Sequence, residues 1–118
     1  MLQKTGQSIV YRDYHPRDYP AESGVTRAAK FIGKQEDEVI RELGEPRYRS
    51  AISGEQLGHG PRAELWNWYP REHPANQAVV IHELSWVRGD VTTVIWFHYI
   101  NGYWLYLNSI ELDDTVRF

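Results

Sequence analysis

Two tight-turn signals dominate the C-terminal part of this chain. Asn101-Gly102 separates Val91–Ile100 from Tyr103–Leu112, and Gly89-Asp90 separates Ala78–Arg88 from Val91. Asn-Gly is the preferred pair for a two-residue type I′ turn, because both of its residues accept positive φ. The flanking runs are rich in Val, Ile, Thr, Tyr, Phe and Trp, the residues that fit a pleated surface. Strand, turn, strand, turn, strand predicts an antiparallel meander. Glu64–Tyr69 also alternates and is read as a further, preceding strand, with Trp66 and Trp68 two apart on one core-facing side. Pro70 and Pro74 bracket the connection that follows.

Residues 25–46 carry the helical signal. Thr26–Ile32 reads as a short helix ending at Gly33. A second helix starts near Gln35, with Glu36, Asp37 and Glu38 in a first turn where the helix dipole favours negative charge. Val39, Ile40 and Leu43 make an apolar stripe, Gly44 supplies the stop and Pro46 blocks continuation. Residues 50–63, with Gly54, Gly58, Gly60 and Pro61, read as a loop. They lack the Lys-Ser/Thr ending of a phosphate loop. The expected architecture is a two-layer α+β domain over residues 24–118, a short helical pair on an antiparallel β-meander of about four strands. Residues 1–23 read as an irregular or partly disordered N-terminal arm, with a short strand at Ser8–Tyr11 as the one exception, and Pro16 and Pro20 remove ladder donors.

The 118 residues suffice for one core. The net charge of −3, without a Lys/Arg stripe, argues against nucleic acid as a partner. There are no cysteines, which excludes disulfides, thiol nucleophiles and cysteine-ligated zinc. No apolar run is long enough for a transmembrane helix. Met1–Lys4 does not read as the start of a signal peptide.

Two-residue turns fix the register, Arg88 opposite Val91 and Ile100 opposite Tyr103. Alternation then sorts the side chains into two faces. One holds Val80, His82, Leu84, Trp86, Ile95, Phe97, Tyr99, Trp104, Tyr106, Asn108, Ile110 and Leu112, and is assigned to the core beneath the helices. The other holds Ile81, Glu83, Val94, Trp96, His98, Tyr103, Leu105, Leu107, Ser109 and Glu111. It is mixed but too apolar to meet only water. Its expected cover is the N-terminal arm, a second subunit or another protein. Trp96, Leu105, Leu107, Tyr103 and Ile81 are the candidate binding anchors, with the Gly-rich loop at 54–60 as a second binding surface.

The run Ile32-Gly33-Lys34-Gln35-Glu36-Asp37-Glu38-Val39-Ile40-Arg41-Glu42-Leu43-Gly44-Glu45-Pro46 resembles the small outer-membrane assembly lipoproteins of the SmpA/OmlA type and the related β-lactamase inhibitor protein fold. Gly33, Val39, Leu43, Gly44 and Pro46 fall where that pattern has them, and Lys34-Gln35 replaces its Met-Thr. The resemblance implies two helices on an antiparallel sheet, an envelope location and a protein that works by binding proteins. It offers no catalytic residue to carry over. The chain has no lipid-anchoring Cys.

The histidines point to no metal. His82-Glu83 opens like a zinc-protease motif, but Trp86 stands at the second His position and the segment reads as a strand. His82 and His98 are expected on opposite faces, and His15, His59 and His73 have no ligand spacing. The best catalytic alternative is Glu83 with His98, diagonal neighbours on the mixed face, where a carboxylate could orient an imidazole. The expected function is non-catalytic protein binding or self-association, without cofactor. The alternative is a small ligand-binding domain or enzyme using Glu83 and His98.

Overall fold

The computed structural model describes residues 29–57 and 60–113. The arm at 1–23, and residues 26–28 of the first expected helix, lie outside the described residues. Ala29–Phe31 forms a 3-10 turn. Helix α1, Glu36–Leu43, follows the sequence reading. Glu38 accepts a 2.7 Å hydrogen bond from the Gln35 amide, closing the first turn. Gly44 ends the helix at φ 89°, a conformation that a side chain resists.

Four strands follow, β1 Tyr48–Ser53, β2 Val80–Arg88, β3 Val91–Ile100 and β4 Tyr103–Asp113, in spatial order β1-β2-β3-β4 and antiparallel throughout. This is a small α+β fold, one helix packed on an open four-stranded meander. Both two-residue turns form as expected, pairing Arg88 with Val91 and Ile100 with Tyr103.

Three expectations are corrected. The first strand is Tyr48–Ser53, overlapping the start of the loop expected at 50–63, and not Glu64–Tyr69. Residues Gly60–Asn67 form a 3-10 helix, after which the Trp68 and Tyr69 amides both donate to the Leu65 carbonyl, at 3.1 Å each. Leu65, Trp68 and Tyr69 are buried at i, i+3 and i+4, the spacing of a helical face. Alternation over six residues could not be told from this pattern. The third correction lies in β4. Trp96 pairs with Asn108 but Phe97 pairs with Tyr106, so Leu107 is an extra residue in a β-bulge. The bulge reverses the faces beyond it. Asn108, Ile110 and Leu112 join the Trp96 side, and Ser109 and Glu111 join the Ile95 side.

Each sheet face has its own core. On one, α1 and the preceding turn set Val39 and Phe31 against Leu84, Trp86, Ile95 and Phe97, with Trp104 and Tyr106 at the margin. On the other, Ile52, Ile81, Val94, Trp96, Leu107 and Leu112 pack against Leu57, Leu65, Trp68, Tyr69 and Val79. That second cover comes from residues 54–57 and 60–79 of the same chain. It contains the 3-10 segments Gly54–Gln56, Gly60–Asn67 and Pro74–Ala78. Gly54 permits it, because a Cβ there would stand 1.8 Å from the Asn76 carbonyl oxygen.

Candidate functional site

The face read as a docking surface is sealed. Trp96 and Ile81 are fully buried and Leu107 nearly so, beneath Leu57, Leu65, Trp68 and Tyr69. Leu105 is half-buried, and Gln35 forms an isolated antiparallel bridge to it. Only Tyr103, 54% exposed, stands open to solvent. The five expected anchors therefore do not form one patch. Among the described residues the cover is a segment of the same chain, whose apolar side chains read from sequence as strand and loop.

Glu83 and His98 share this buried face, each engaged by another residue. The Arg62 guanidinium donates to both Glu83 carboxylate oxygens, at 2.6 and 2.8 Å, and the Trp96 Nε1 donates to Glu83 Oε2 at 2.8 Å. A forked charge-assisted pair is the strong form of such a contact. The Glu83 hydrogen bond holds the Arg62 pKa above its ordinary value, against the pull of burial. His98 Nδ1 shares a 2.8 Å hydrogen bond with the Tyr69 hydroxyl. Burial lowers its pKa to about 4, so the imidazole is neutral at pH 7. Arg62 and Tyr69, 21 and 29 residues away in sequence, were not singled out as partners. No spacing rule reaches that far. Both carriers of the catalytic alternative thus pin the covering segment to the sheet.

The opposite end of the sheet is open. A groove of about 410 Å³ runs beside the first turn of α1, lined by Gln35, Glu36, Asp37, Ile40, Arg49, Gly102, Tyr103 and Trp104. Its acidic residues stand where the helix dipole favours them, and Trp104 comes from the start of β4. The rings of Trp104 and His82 stack at 3.5 Å between centroids and 10° between planes. His82 Nδ1 lies 2.7 Å from Glu36 Oε1, tying the helix to the sheet. Glu36 is thereby occupied. Asp37 and Arg49 are both exposed, and neither has a hydrogen-bond or ion-pair partner among the described residues. Tyr99, also exposed, tilts against Trp104 at 5.4 Å. In the sequence Trp104 reads only as a core aromatic and Asp37 only as a helix-start acid, and Arg49 carries no local signal. What joins them is the packing of α1 across the sheet.

His82 and His98 do lie on opposite faces, one against Trp104 and the other against Tyr69. Among the described residues no three His, Asp or Glu side chains gather closely enough to hold a metal ion. No described helix is long and apolar enough to cross a membrane. No family model, curated protein or solved structure matches the chain.

Proposed function

We propose that this protein is a non-catalytic protein-binding module whose binding surface is the groove beside α1. The observation that carries this reading is the pair Asp37 and Arg49. Two opposite charges without partners among the described residues line one aromatic-walled groove, with Tyr103 and Trp104 between strand end and helix. Aromatic side chains and arginine are the types that dominate protein interfaces. Unpaired charges at the rim select a partner by complementarity. The resemblance of residues 32–46 to envelope assembly lipoproteins supports the same reading, since those proteins act by binding proteins. The engagement of Glu83 with Arg62, and of His98 with Tyr69, favours binding over proton transfer.

Selection of displayed peptides on the wild-type protein tests this. Recovered peptides should bind at least about tenfold more weakly to Arg49→Gln or Asp37→Asn, both exposed positions where the fold is expected to persist. Peptides indifferent to both substitutions would place the binding surface elsewhere and overturn the proposal.

A further inference from the structure

The sheet is open, and its two edges are treated differently. At β4 the Tyr106 amide donates to the Lys34 carbonyl at 3.0 Å, and Gln35 bridges Leu105. At β1 no described residue pairs with the outer side. The parity of the ladder says which groups stand there. The two-residue turn makes Arg88 and Val91 a hydrogen-bonded pair, so the even residues of β2 bond to β3 and the odd ones to β1. Ile81, Glu83 and Ser85 pair with Ile52, Ser50 and Tyr48. The Gly54 amide bonds to the Val79 carbonyl at 3.0 Å, in the same parity. Arg49, Ala51 and Ser53 therefore direct their amides and carbonyls outward.

Natural sheets blunt such an edge with Pro, Lys or a cover. Strand β1 reads Tyr-Arg-Ser-Ala-Ile-Ser, with neither Pro nor Lys, and its first four residues are exposed. The helix does not shield it, since the core under α1 draws on β2, β3 and β4 and on no residue of β1. The Ser53 amide is already used, donating to Gln56 Oε1 at 2.8 Å. Among the described residues the complete pairs left open are those of Arg49 and Ala51, placed symmetrically about Ser50.

We infer that the outer edge of β1 pairs antiparallel with the same edge of a second copy of this chain, with Ser50 on the two-fold axis. In this register Arg49 faces Ala51 of the other copy, and the reverse, using all four amides and carbonyls at each side of the axis. The alternatives are poorer. Centring on Ala51 needs the occupied Ser53 amide, and centring on Arg49 opposes two like charges. The chosen register lays the Arg49 stem over an alanine methyl and brings Tyr48, 64% exposed, across from Ile52. It joins two meanders into one continuous sheet with an isologous contact. The edge is short, well below the roughly 1,200 Å² of a permanent interface, so the dimer forms at high concentration, on the order of 0.1 mM.

The absence of cysteine makes the test clean. Across the axis Ser50 would meet its own copy as a non-hydrogen-bonded pair, with Cα atoms about 4.5 Å apart, within disulfide range. Ser50→Cys, oxidised by diamide, should give a disulfide-linked dimer at least about tenfold faster than Gln77→Cys, an exposed site elsewhere. In the cysteine-free chain, sedimentation equilibrium up to 1 mM (roughly tenfold above the expected midpoint) should show dimer. Ala51→Glu, opposite Arg49, should tighten it about tenfold at low salt, and Ala51→Lys should weaken it by as much. A monomer throughout the range, with Ser50→Cys no faster than the control, would assign the edge to another chain or to none and overturn the inference. So would a dimer indifferent to both charges at Ala51.

Discussion

On one face of the sheet an eight-residue helix lays Val39 against Leu84, Ile95 and Phe97, and its charged contacts stay at the margin. On the other, a stretch with no α-helix covers Trp96, Ile81 and Leu107, and its charged contact is part-buried, the carboxylate 10% exposed. A helix satisfies its own backbone and needs only an apolar stripe to dock. The described residues between 54 and 79 form only short 3-10 segments and turns, and side chains add to their placement on the sheet. Arg62 is forked onto Glu83, Tyr69 is bonded to His98, and the Asn76 side-chain amide donates to the Pro70 carbonyl at 2.9 Å. Both covers carry polar anchors, those of the helix at its two ends and those of the 3-10 segments nearer the centre of the sheet.

That difference is measurable. Glu83→Ala should cost about 2–4 kcal/mol in urea unfolding, because it takes the carboxylate from the part-buried Arg62 of the cover and leaves the buried Trp96 Nε1 without its acceptor. The same truncation at Glu36, on the helix face, should cost far less. Comparable losses at the two positions would erase the distinction. The burial of Glu83 and Trp96 also means that a charged substitution at Trp96 unfolds the protein rather than probing a surface.

A proton should act next most strongly. The folded His98 has a pKa of about 4 against about 6.5 unfolded, since burial disfavours its cation. Between these values the unfolded chain binds more protons, so stability is fully present above about pH 6.5 and falls as pH drops toward 4. The loss is on the order of 2–3 kcal/mol. His98→Gln should flatten that slope in unfolding measured at intervals between those limits. Parallel curves for variant and wild type would remove His98 as its cause.

Gly54→Ala tests the backbone side of the cover. Its new methyl would meet the Asn76 carbonyl at 1.8 Å, so either the Gly54–Gln56 turn or the Pro74–Ala78 turn must move. A cost of about 1–3 kcal/mol is expected, with protection from hydrogen exchange lost first at the Val79 and Asn76 amides. Unchanged protection there would mean that the cover does not depend on this approach.

What the sequence disclosed follows the same division. Helix α1 carries its acids, stripe, Gly44 and Pro46 locally, and β2 to β4 carry turns that fix their register, so these could be read directly. Strand β1 could not, because Ile52 is its one buried residue and an edge strand with a single inward anchor has no alternation to show. Leu65, Trp68 and Tyr69 fit a helical face as well as they do a strand, and only the sheet beneath them decides. The bulge at Leu107 leaves no mark, since Leu107 and Asn108 are both buried and the swap costs neither its burial. At the candidate site, Glu83 and His98 were recognised as polar groups on an apolar face. Their partners lie in the segment that was misread, which is why a catalytic pair looked available.

The smallest effect bears most directly on the helix face. Glu36 contacts His82 at 2.7 Å, with the two side chains 17% and 28% exposed. It also stands in the first turn of α1, where a negative charge adds about 0.3–1 kcal/mol. Removing Glu36 leaves His82, 28% exposed, in contact with water and with no buried donor orphaned, whereas truncating Glu83 also strips the buried Trp96 Nε1 of its acceptor. Glu36→Ala should therefore cost about 1 kcal/mol, and Glu36→Gln, which keeps a hydrogen-bond acceptor, about half of that. A double-mutant cycle with His82→Ala separates the dipole from the pair, because the dipole contribution survives the loss of His82. A coupling near zero would assign Glu36 to the helix alone, leaving the Trp104 stack to hold His82. A coupling above about 2 kcal/mol would make this contact as strong an anchor as Arg62 with Glu83. The contrast between a docked helix and a pinned segment would then fail.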